Sequence, residues 1–474
     1  MKKALRFFML SGLLIVILVA CTDYDDELQT PVNTQVKEFV WRGLNNYYFW
    51  QSRVEDLSDD RFANQQEKTV FLNNYNSPTD LFNGLLYQRN VVDRFSVIFS
   101  DYNVLEQALT GTSKSNGIDY ELKYRPGSTT EVFGWVRYIL PDSDASRKNI
   151  KRGDIFYAVN GIALTNTNYN TLLEGDTYTL NLANYDNGAI TPNGNSVSLS
   201  KSEFSENPVL LRKVIQLPNA KVGYLVYNGF YMAYESQLNE AFTYFASQEI
   251  THLVLDLRYN SGGAVVTATR LASMITGQFN NQVFGKQLWN EKVMSVIESQ
   301  NPERVINRFT TTLNNNSVLT SLQLNKLYVL TSNRTASASE LIINGLQPYI
   351  NVVQIGDKTT GKNMGSITLY DSPDFTKRNI NPTHRYAMQP LTFTMVNKNG
   401  FGEYQNGIQP TFPFIENLGD LGTLGEENEP FLQRALAIIS GGGRFSPTFV
   451  KTFENVPDNS MKTQMYLENI SDNK

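Results

Sequence analysis

Two serines, Ser337 and Ser339, lie in the segment TASASE (335–340), between two apolar stretches. The run KLYVLTS (326–332) predicts a buried strand, and LIINGLQPYI (341–350) predicts an amphipathic helix. A hydroxyl at a strand-to-helix turn lies near the free amides of the helix N-terminus, which favour a developing negative charge. The S-x-x-E spacing is also that of a capping box, a common structural feature. By itself the segment is compatible with a nucleophile or with a helix cap.

A serine nucleophile needs a base, and the chain has only two histidines, His252 and His384. His252 begins the predicted strand THLVLDLR, far from its carboxyl end, and His384 lies in a loop that the sequence does not place. Lys362 follows Ser337 by 25 residues, on a glycine-flanked loop after the next predicted strand. Because burial disfavours the ammonium form, a buried lysine can act as a neutral base. We therefore expect Lys362 in an apolar pocket without an adjacent carboxylate, and both histidines in core or surface positions.

A third segment, LDLRYNSGG (255–263), ends a predicted buried strand in two glycines. In an α/β sheet the ends of parallel strands lie at one edge, where sites gather. A glycine there lets a backbone amide point into a site without an obstructing side chain. With the amide of Ala338, which follows the first serine, Gly262 could form an oxyanion hole. A plain turn is the simpler interpretation of these glycines taken alone.

A fourth stretch, GWVRYILPDSDASRKNIKRGDIFYAVNG (134–161), reads as a strand, a short helix and a Gly-Asp turn into a second strand. It resembles the middle of a PDZ domain, with GIDY (Gly117, Ile118, Asp119 and Tyr120) at the position of the carboxylate-binding loop. PDZ domains bind an extended peptide by strand addition. The resemblance therefore implies a module that binds the C-termini of substrates.

The set of motifs resembles the C-terminal processing peptidases, or tail-specific proteases, which are serine endopeptidases related to the core of tricorn protease. That family joins a PDZ domain to a mixed α/β catalytic domain of the ClpP/crotonase-like type. The resemblance implies that Ser337 is the nucleophile and Lys362 the base, and that Gly262 and Ala338 are the oxyanion donors, with Gly263 as the alternative to Gly262. Many members carry a glutamine four residues after the lysine, where this chain has Ser366.

The N-terminus predicts export. Residues 1–21 combine a basic start with the apolar run FFMLSGLLIVILVA and end at Cys21, the only cysteine. This ending resembles the lipobox of bacterial lipoproteins, which implies cleavage before Cys21 and lipidation of its thiol. The acidic stretch 22–27 resembles a surface-export signal of Bacteroidetes lipoproteins and equally fits a solvated tether. We expect an exported lipoprotein whose lipid anchors it to a membrane, at the periplasmic or cell-surface face of the outer membrane.

Composition and pattern predict a multidomain α/β (α+β) protein of 474 residues. Its net charge of −5 gives no basic field, so nucleic acid is not an expected partner. We expect no cofactor and no metal, and protein or peptide substrates. The 276–325 stretch reads as an insertion. The predicted parts are a signal peptide (1–21), a linker (22–33), a helical domain that acts as a scaffold without a site (34–110), a PDZ-like domain (111–200), a serine peptidase domain (201–441) and a peripheral tail (442–474).

Two other functions fit parts of the sequence. An inactive lipoprotein could use the same fold and PDZ module only to bind peptides. A surface glycan-binding lipoprotein would explain the aromatic content of 12% and the many asparagines. The intact pair of Ser337 and Lys362 favours the peptidase, and no predicted strand reads as an exposed aromatic platform.

Overall fold

The structure is a computed structural model that describes residues 31–442 and 452–456, and the backbone of 466–468. The predicted signal peptide, Cys21 and most of the linker lie outside these residues. Within the described ranges, no helix has both the length and the hydropathy needed to cross a bilayer. The same ranges contain no group of three or more His, Cys, Asp or Glu side chains arranged to hold a metal ion.

The N-terminal region (31–110) is mainly helical, as the spacing of its apolar residues predicts. Its first helix buries Val36, Phe39, Val40 and Leu44, which recur at three- and four-residue intervals along one face. Its elements are α1 (Val32–Tyr47), α2 (Gln65–Asn73), α3 (Pro78–Gly84), β1 (Val97–Phe99) and α4 (Tyr102–Leu109).

The middle region (111–205) is an antiparallel sheet in the strand order β3-β4-β5-β7-β8. A short 3-10 helix, Ala145–Arg147, separates two of its strands, so the strand, helix and strand expected from the sequence are present. Its strand β3 lies at an edge of the sheet. The elements are β2 (Thr112–Ser115), β3 (Ile118–Tyr124), β4 (Val132–Ile139), β5 (Ile155–Val159), β6 (Ile162–Ala163), α5 (Tyr169–Glu174), β7 (Thr177–Asp186), β8 (Ala189–Ser200) and β9 (Ser202–Ser205).

The C-terminal region (206–442) alternates strands and helices. Its elements before the serine segment are β10 (Val209–Leu217), β11 (Ala220–Tyr227), α6 (Glu235–Ser247), β12 (His252–Asp256), β13 (Gly263–Ala264), α7 (Val265–Thr276), β14 (Val283–Trp289), α8 (Glu291–Gln300), β15 (Ile306–Arg308) and β16 (Lys326–Thr331). Its later elements are α9 (Ala338–Leu346), β17 (Asn351–Gly356), β18 (Met364–Ile367), β19 (Leu369–Tyr370), β20 (Ala387–Gln389), β21 (Leu391–Asn397), β22 (Phe412–Pro413) and α10 (Pro430–Ile439). The 276–325 stretch thus contains two strands and a helix of its own.

The central sheet has the order β10-β11-β12-β16-β17-β22, and all its pairs after the first are parallel. Successive residues of β16 alternate between two cores, as the period of a strand requires. Leu327 and Val329 pack in the core that includes α6, α7 and α9, while Tyr328 and Leu330 pack with α10. The turns after β12, β16 and β17 therefore meet at the carboxyl edge of one sheet, where the sequence places its three chemical segments.

A second sheet, with the order β13-β23-β18-β21-β14-β15, lies beside this edge. Its strand β23 (Tyr466–Glu468) comes from the C-terminal tail and runs between β13 and β18. The tail residues 452–456 contact the middle region. The expectation that the tail is peripheral is therefore wrong for its described parts. A backbone edge attracts extended chain because its amides and carbonyls need partners, and sequence composition does not report such pairing.

Candidate active site

Ser337 occupies the sharp turn between β16 and α9. Its backbone has φ +61° and ψ −117°, a conformation that is costly for a residue with a side chain. The side chain is fully buried, and although Ser337 and Glu340 have the placement of a capping box, Oγ of Ser337 has no hydrogen-bond partner. The hydroxyl of Ser339 instead donates to the carbonyl of Asn260 at 3.0 Å. A strained serine with an unpaired hydroxyl at a strand-to-helix turn is typical of a nucleophile, whereas Ser339 fixes structure.

The segment after β12 holds this turn in place. The carbonyl of Asn260 also accepts a hydrogen bond from the amide of Ala336 at 3.2 Å. The hydroxyl of Thr335 donates to the carbonyl of Leu257 at 2.8 Å. Since these bonds join two neighbouring strand ends, they constrain the backbone on the N-terminal side of Ser337.

Gly262 packs directly against the nucleophile. A Cβ atom on Gly262 would lie 2.6 Å from Cβ of Ser337 and 3.1 Å from the amide nitrogen of Ala338, so only glycine fits. Ala338 is the first residue of α9, where amides have no partner within the helix. The amide of Gly262, however, donates to Oδ1 of Asn260 at 2.9 Å. The structure thus brings Gly262, Ala338 and Ser337 together, but the first amide is already engaged.

Gly263, the alternative donor, is oriented differently. On one side of β13, Phe230 donates its amide to the carbonyl of Gly262 at 2.9 Å, and its carbonyl accepts from the amide of Ala264 at 2.8 Å. The amide of Gly263 therefore points to the other side of β13, where β23 lies. In this structure the amides of both glycines therefore face partners within the protein, and Gly262 is the one that lies against Ser337 and Ala338.

Lys362 is almost completely buried, in the loop between β17 and β18. Its Nζ lies 5.2 Å from the centroid of the Phe95 ring. Burial lowers the pKa of Lys362 to about 7, although the carboxylates of Glu340 and Asp93 oppose the shift. The expectation of a pocket without a nearby carboxylate is wrong. The lysine nevertheless reaches a range in which both protonation states are accessible near neutral pH.

Glu340 joins the two halves of the site. Its Oε2 accepts hydrogen bonds from the amides of Ser337 and Lys362, both at 2.8 Å. Its Oε1 accepts from the amide of Gly361 at 2.7 Å and from the hydroxyl of Thr359. Burial raises the pKa of Glu340, and these donors oppose the shift. The sequence predicted only the contact of Glu340 with the Ser337 turn, as a capping box. It did not predict the contacts with the lysine loop, because the donors there are 19 or more residues away along the chain.

The N-terminal region completes the lysine pocket. Phe95 supplies the ring beside Nζ, and Arg94 donates to the carbonyl of Gly361 at 2.8 Å. Asp93 is fully buried and accepts hydrogen bonds from the hydroxyls of Tyr48 and Ser96 at 2.8 and 2.6 Å. The expectation that this region is a scaffold without a site is wrong. The segment VDRFS carries no motif, so only the tertiary contact identifies it.

The two histidines have partners elsewhere. His252 begins β12 and lies 2.9 Å from the hydroxyl of Thr251, and burial lowers its pKa. Nε2 of His384 lies 3.0 Å from Oδ2 of Asp371. His252 thus lies at the amino end of β12, opposite the sheet edge that holds Ser337, and His384 is paired with Asp371.

The remaining predicted site residues lie as follows. Ser366 is buried on β18, in register with Leu467 of β23. The amide of Gly117 donates to the hydroxyl of Ser115 at 3.0 Å, and that of Ile118, the first residue of β3, donates to Oδ1 of Asn116 at 3.2 Å. These two amides are thus engaged within their own loop. The other two residues of the predicted carboxylate loop, Asp119 and Tyr120, lie on β3.

Two family models match the chain, and each matched region contains residues of this site. The model of the peptidase family S41 N-terminal domain matches residues 35–97, and that of peptidase family S41 matches 221–413. The chain belongs to peptidase family S41. The S41 peptidase match contains the nucleophile turn, the glycine segment and the lysine loop, and the N-terminal match contains Asp93, Arg94 and Phe95.

Known proteins with related sequences agree with the S41 assignment. Carboxyl-terminal-processing peptidase 1, chloroplastic, of Arabidopsis thaliana is 24% identical over 358 residues, covering 72% of this chain and 66% of the relative. A carboxyl-terminal-processing protease of Picosynechococcus is 23% identical over 292 residues, covering 57% and 64%. The chain thus spans just under two thirds of the length of these relatives. The crystal structure of a putative S41 protease from Bacteroides fragilis is similar with a TM-score of 0.67 and 26% identity, covering 86% of this chain and 98% of that one.

The buried lysine of this S41 chain makes a prediction about stability. Lys362→Met should raise the melting temperature, and more at pH 6 than at pH 9. The lysine pKa is about 7 when folded and 10.5 when unperturbed, so the unfolded chain binds the extra proton in that interval. The free energy of unfolding that burial of Lys362 costs is therefore largest below pH 7, and this cost falls as pH rises towards 10.5. Thermal unfolding at both pH values measures this, with the exposed Lys358→Met as control. An equal gain at both pH values would contradict the buried-amine assignment.

Proposed function

We propose that the chain is a serine endopeptidase that hydrolyses peptide bonds of protein or peptide substrates through a Ser337/Lys362 dyad. One observation carries the proposal. Ser337 has a strained backbone and an unpaired hydroxyl, and the amides of Ser337 and Lys362 both donate to Oε2 of Glu340. The pKa of Lys362 is about 7. Acyl transfer by a serine requires a base whose neutral form is populated, and the shared carboxylate fixes the backbones of the two residues relative to each other.

In the proposed reaction, neutral Lys362 takes the proton from Ser337 as Oγ attacks the carbonyl carbon of the scissile bond. The amides of Ala338 and of Gly262, or of Gly263 in its place, donate to the oxyanion of the tetrahedral intermediate. As the C–N bond breaks, the ammonium of Lys362 gives its proton to the leaving amine, and an acyl-serine remains. Water then attacks this ester with neutral Lys362 as base; the C–Oγ bond breaks, the ammonium returns its proton to Oγ of Ser337, and the new C-terminus is released.

Glu340 and the aromatic wall of the pocket serve this reaction indirectly. The carboxylate accepts from four donors and holds the backbone of both dyad residues, so it positions them without taking a proton in any step. The Phe95 ring lies 5.2 Å from Nζ and forms part of the buried surroundings of the amine, and it is this burial that favours the neutral form. These contacts support a preformed site.

We further propose that the middle region is a PDZ-like module that presents the C-terminal segments of substrates. The support is the position of β3 at the edge of its sheet and the names of the relatives, which are carboxyl-terminal-processing peptidases. Strand addition at such an edge binds a peptide backbone with little dependence on sequence. Lipid anchoring at Cys21 stays a prediction from the sequence.

Ser337→Ala should abolish hydrolysis, by roughly 10³-fold or more, because the nucleophile is lost. Its folding stability should change by less than about 1 kcal/mol, since Oγ makes no hydrogen bond. The matched control is Ser339→Ala, which loses the bond to Asn260 and should keep activity at a cost of about 0.5–1.5 kcal/mol in stability. Digestion of an unfolded protein, followed by mass spectrometry, measures activity. An active Ser337→Ala beside an inactive Ser339→Ala would reverse the assignment, and a wild type without activity would favour the peptide-binding lipoprotein.

The base can be identified from pH dependence. For the wild type, kcat/KM should rise as pH increases through about 7, because Lys362 must lose its proton before it can act. Lys362→Arg should be inactive over the whole range, since a guanidinium stays protonated. Lys358→Ala, His252→Gln and His384→Gln should retain most activity. A folded but inactive histidine variant beside an active Lys362→Ala would overturn the dyad in favour of a triad.

The PDZ-like role can be separated from catalysis by substrate length. Ser115 and Ser202 are opposite each other in the β2–β9 pair, so residues 116–201 can be replaced by an Asn-Gly turn. This deletion should raise KM by about tenfold or more for proteins with long unstructured C-termini, as expected when a tether is lost. The KM of short peptides should change little. An equal loss for both substrate classes would show that the module supports the fold of the active site and does not tether.

A further inference from the structure

The C-terminal tail adds a strand to the open edge of the middle region. Tyr124 donates its amide to the carbonyl of Glu454 at 3.0 Å, and Val456 donates its amide to the carbonyl of Leu122 at 3.2 Å. Asn455 lies opposite Lys123 in an antiparallel bridge. The tail therefore occupies the edge of β3 at which strand addition would bind a peptide.

Side chains anchor this segment on both faces of the sheet. Val456 is only 3% exposed and packs in the core that includes Ile118, Leu122 and Tyr178. On the other face, the ring of Phe453 lies 5.3 Å from that of Phe133, centroid to centroid. Thr452, at the start of the segment, is exposed. Because the chain continues to Lys474, this edge holds an internal segment and not a free carboxylate.

Further along, the same tail enters the active-site sheet. Tyr466 and Leu467 pair in parallel with Gly263 and Ala264, and Leu467 also pairs with Ser366. The strand β23 thus fills the space between the candidate oxyanion glycine and the strand that follows the lysine loop. Gly263 adjoins Gly262, which packs on the nucleophile. A substrate backbone needs hydrogen bonds at this same place to bring its carbonyl to the serine.

We propose that two described parts of the tail, residues 452–456 and the strand Tyr466–Glu468, are intramolecular ligands of the peptide cleft, which compete with substrates at the β3 edge and at the active site respectively. The active-site half of this inference rests on the proposed function, whereas the β3 half does not. A tethered ligand has an effective concentration in the millimolar range. For a segment whose intrinsic Kd is about 0.1 mM, this weakens the binding of an external peptide about tenfold.

The first test uses the full chain with Ser337→Ala, so that no peptide is hydrolysed. The probe is a fluorescent synthetic peptide of residues 451–474, and its affinity is measured by anisotropy. Val456→Asp places a charge in the buried position and should release the tail, which tightens probe binding about tenfold. The matched control, Thr452→Asp, adds the same charge at an exposed position and should bind the probe as weakly as the parent.

Equal probe affinity in the parent, Val456→Asp and Thr452→Asp would overturn the β3 half of the proposal. This outcome is independent of proteolysis, so the test is equally decisive for a chain without peptidase activity. If Val456→Asp does not fold, as judged by circular dichroism, deletion of residues after Gly442 provides the second variant. That deletion should bind the probe about tenfold more tightly than the parent, or more.

The second test addresses the active site in the catalytically competent chain. Leu467→Pro removes a backbone donor from β23, which should loosen the strand and lower KM for a short peptide severalfold with little change in kcat. Ser471→Pro, beyond the strand, is the control and should leave KM unchanged. Identical KM values in the parent, Leu467→Pro and Ser471→Pro would overturn competition at the active site.

Discussion

The buried carboxylate of Glu340 is the interaction on which the candidate site depends. A charged group without water costs several kcal/mol unless donors surround it, and this one accepts from three amides and a hydroxyl. Three of those donors belong to the lysine loop and one to the nucleophile turn. The requirement to satisfy one carboxylate therefore fixes the backbone of Lys362 relative to that of Ser337.

The protonation state of Lys362 depends on a balance between desolvation, which favours the neutral amine, and nearby carboxylates, which favour the ammonium. Burial alone would drive the pKa of Lys362 far below its usual value, while Glu340 and Asp93 draw it back, and the result is about 7. Both carboxylates hold hydrogen bonds from other groups, which limits how strongly they favour the ammonium. Part of this balance comes from the N-terminal region, through Asp93 and Phe95. A segment remote in sequence from Lys362 thus influences the pKa of this lysine.

The fold leaves two places where an extended peptide can add to a sheet. One is the edge strand β3, and the other is the gap between β13 and β18. Open edges attract any available strand, and proteins usually cover them. Here the tail covers both, with Val456 at the first and Tyr466–Glu468 at the second. The same backbone geometry that suits a peptidase to bind substrates without reading their sequence also allows it to bind its own C-terminus.

The sequence by itself determined the local structure and the chemical candidates. The alternation in KLYVLTS and the amphipathic pattern of LIINGLQPYI are properties of adjacent residues, and they correctly predict β16 and α9 with the serine segment between them. The order of parallel strands likewise predicts that the turns holding Gly262, Ser337 and Lys362 share one sheet edge. Their catalytic roles stay predictions until the variants are measured.

Only the tertiary structure decided which distant residues surround those candidates. The three donors that the lysine loop gives to Glu340, the pocket wall from Phe95 and the strand pairing of the tail all depend on contacts in three dimensions. None has a local pattern, because hydrogen bonding and burial depend on position in space and not on order along the chain. The expectations of a lysine pocket without a nearby carboxylate, a passive N-terminal region and a peripheral tail were wrong for that physical reason.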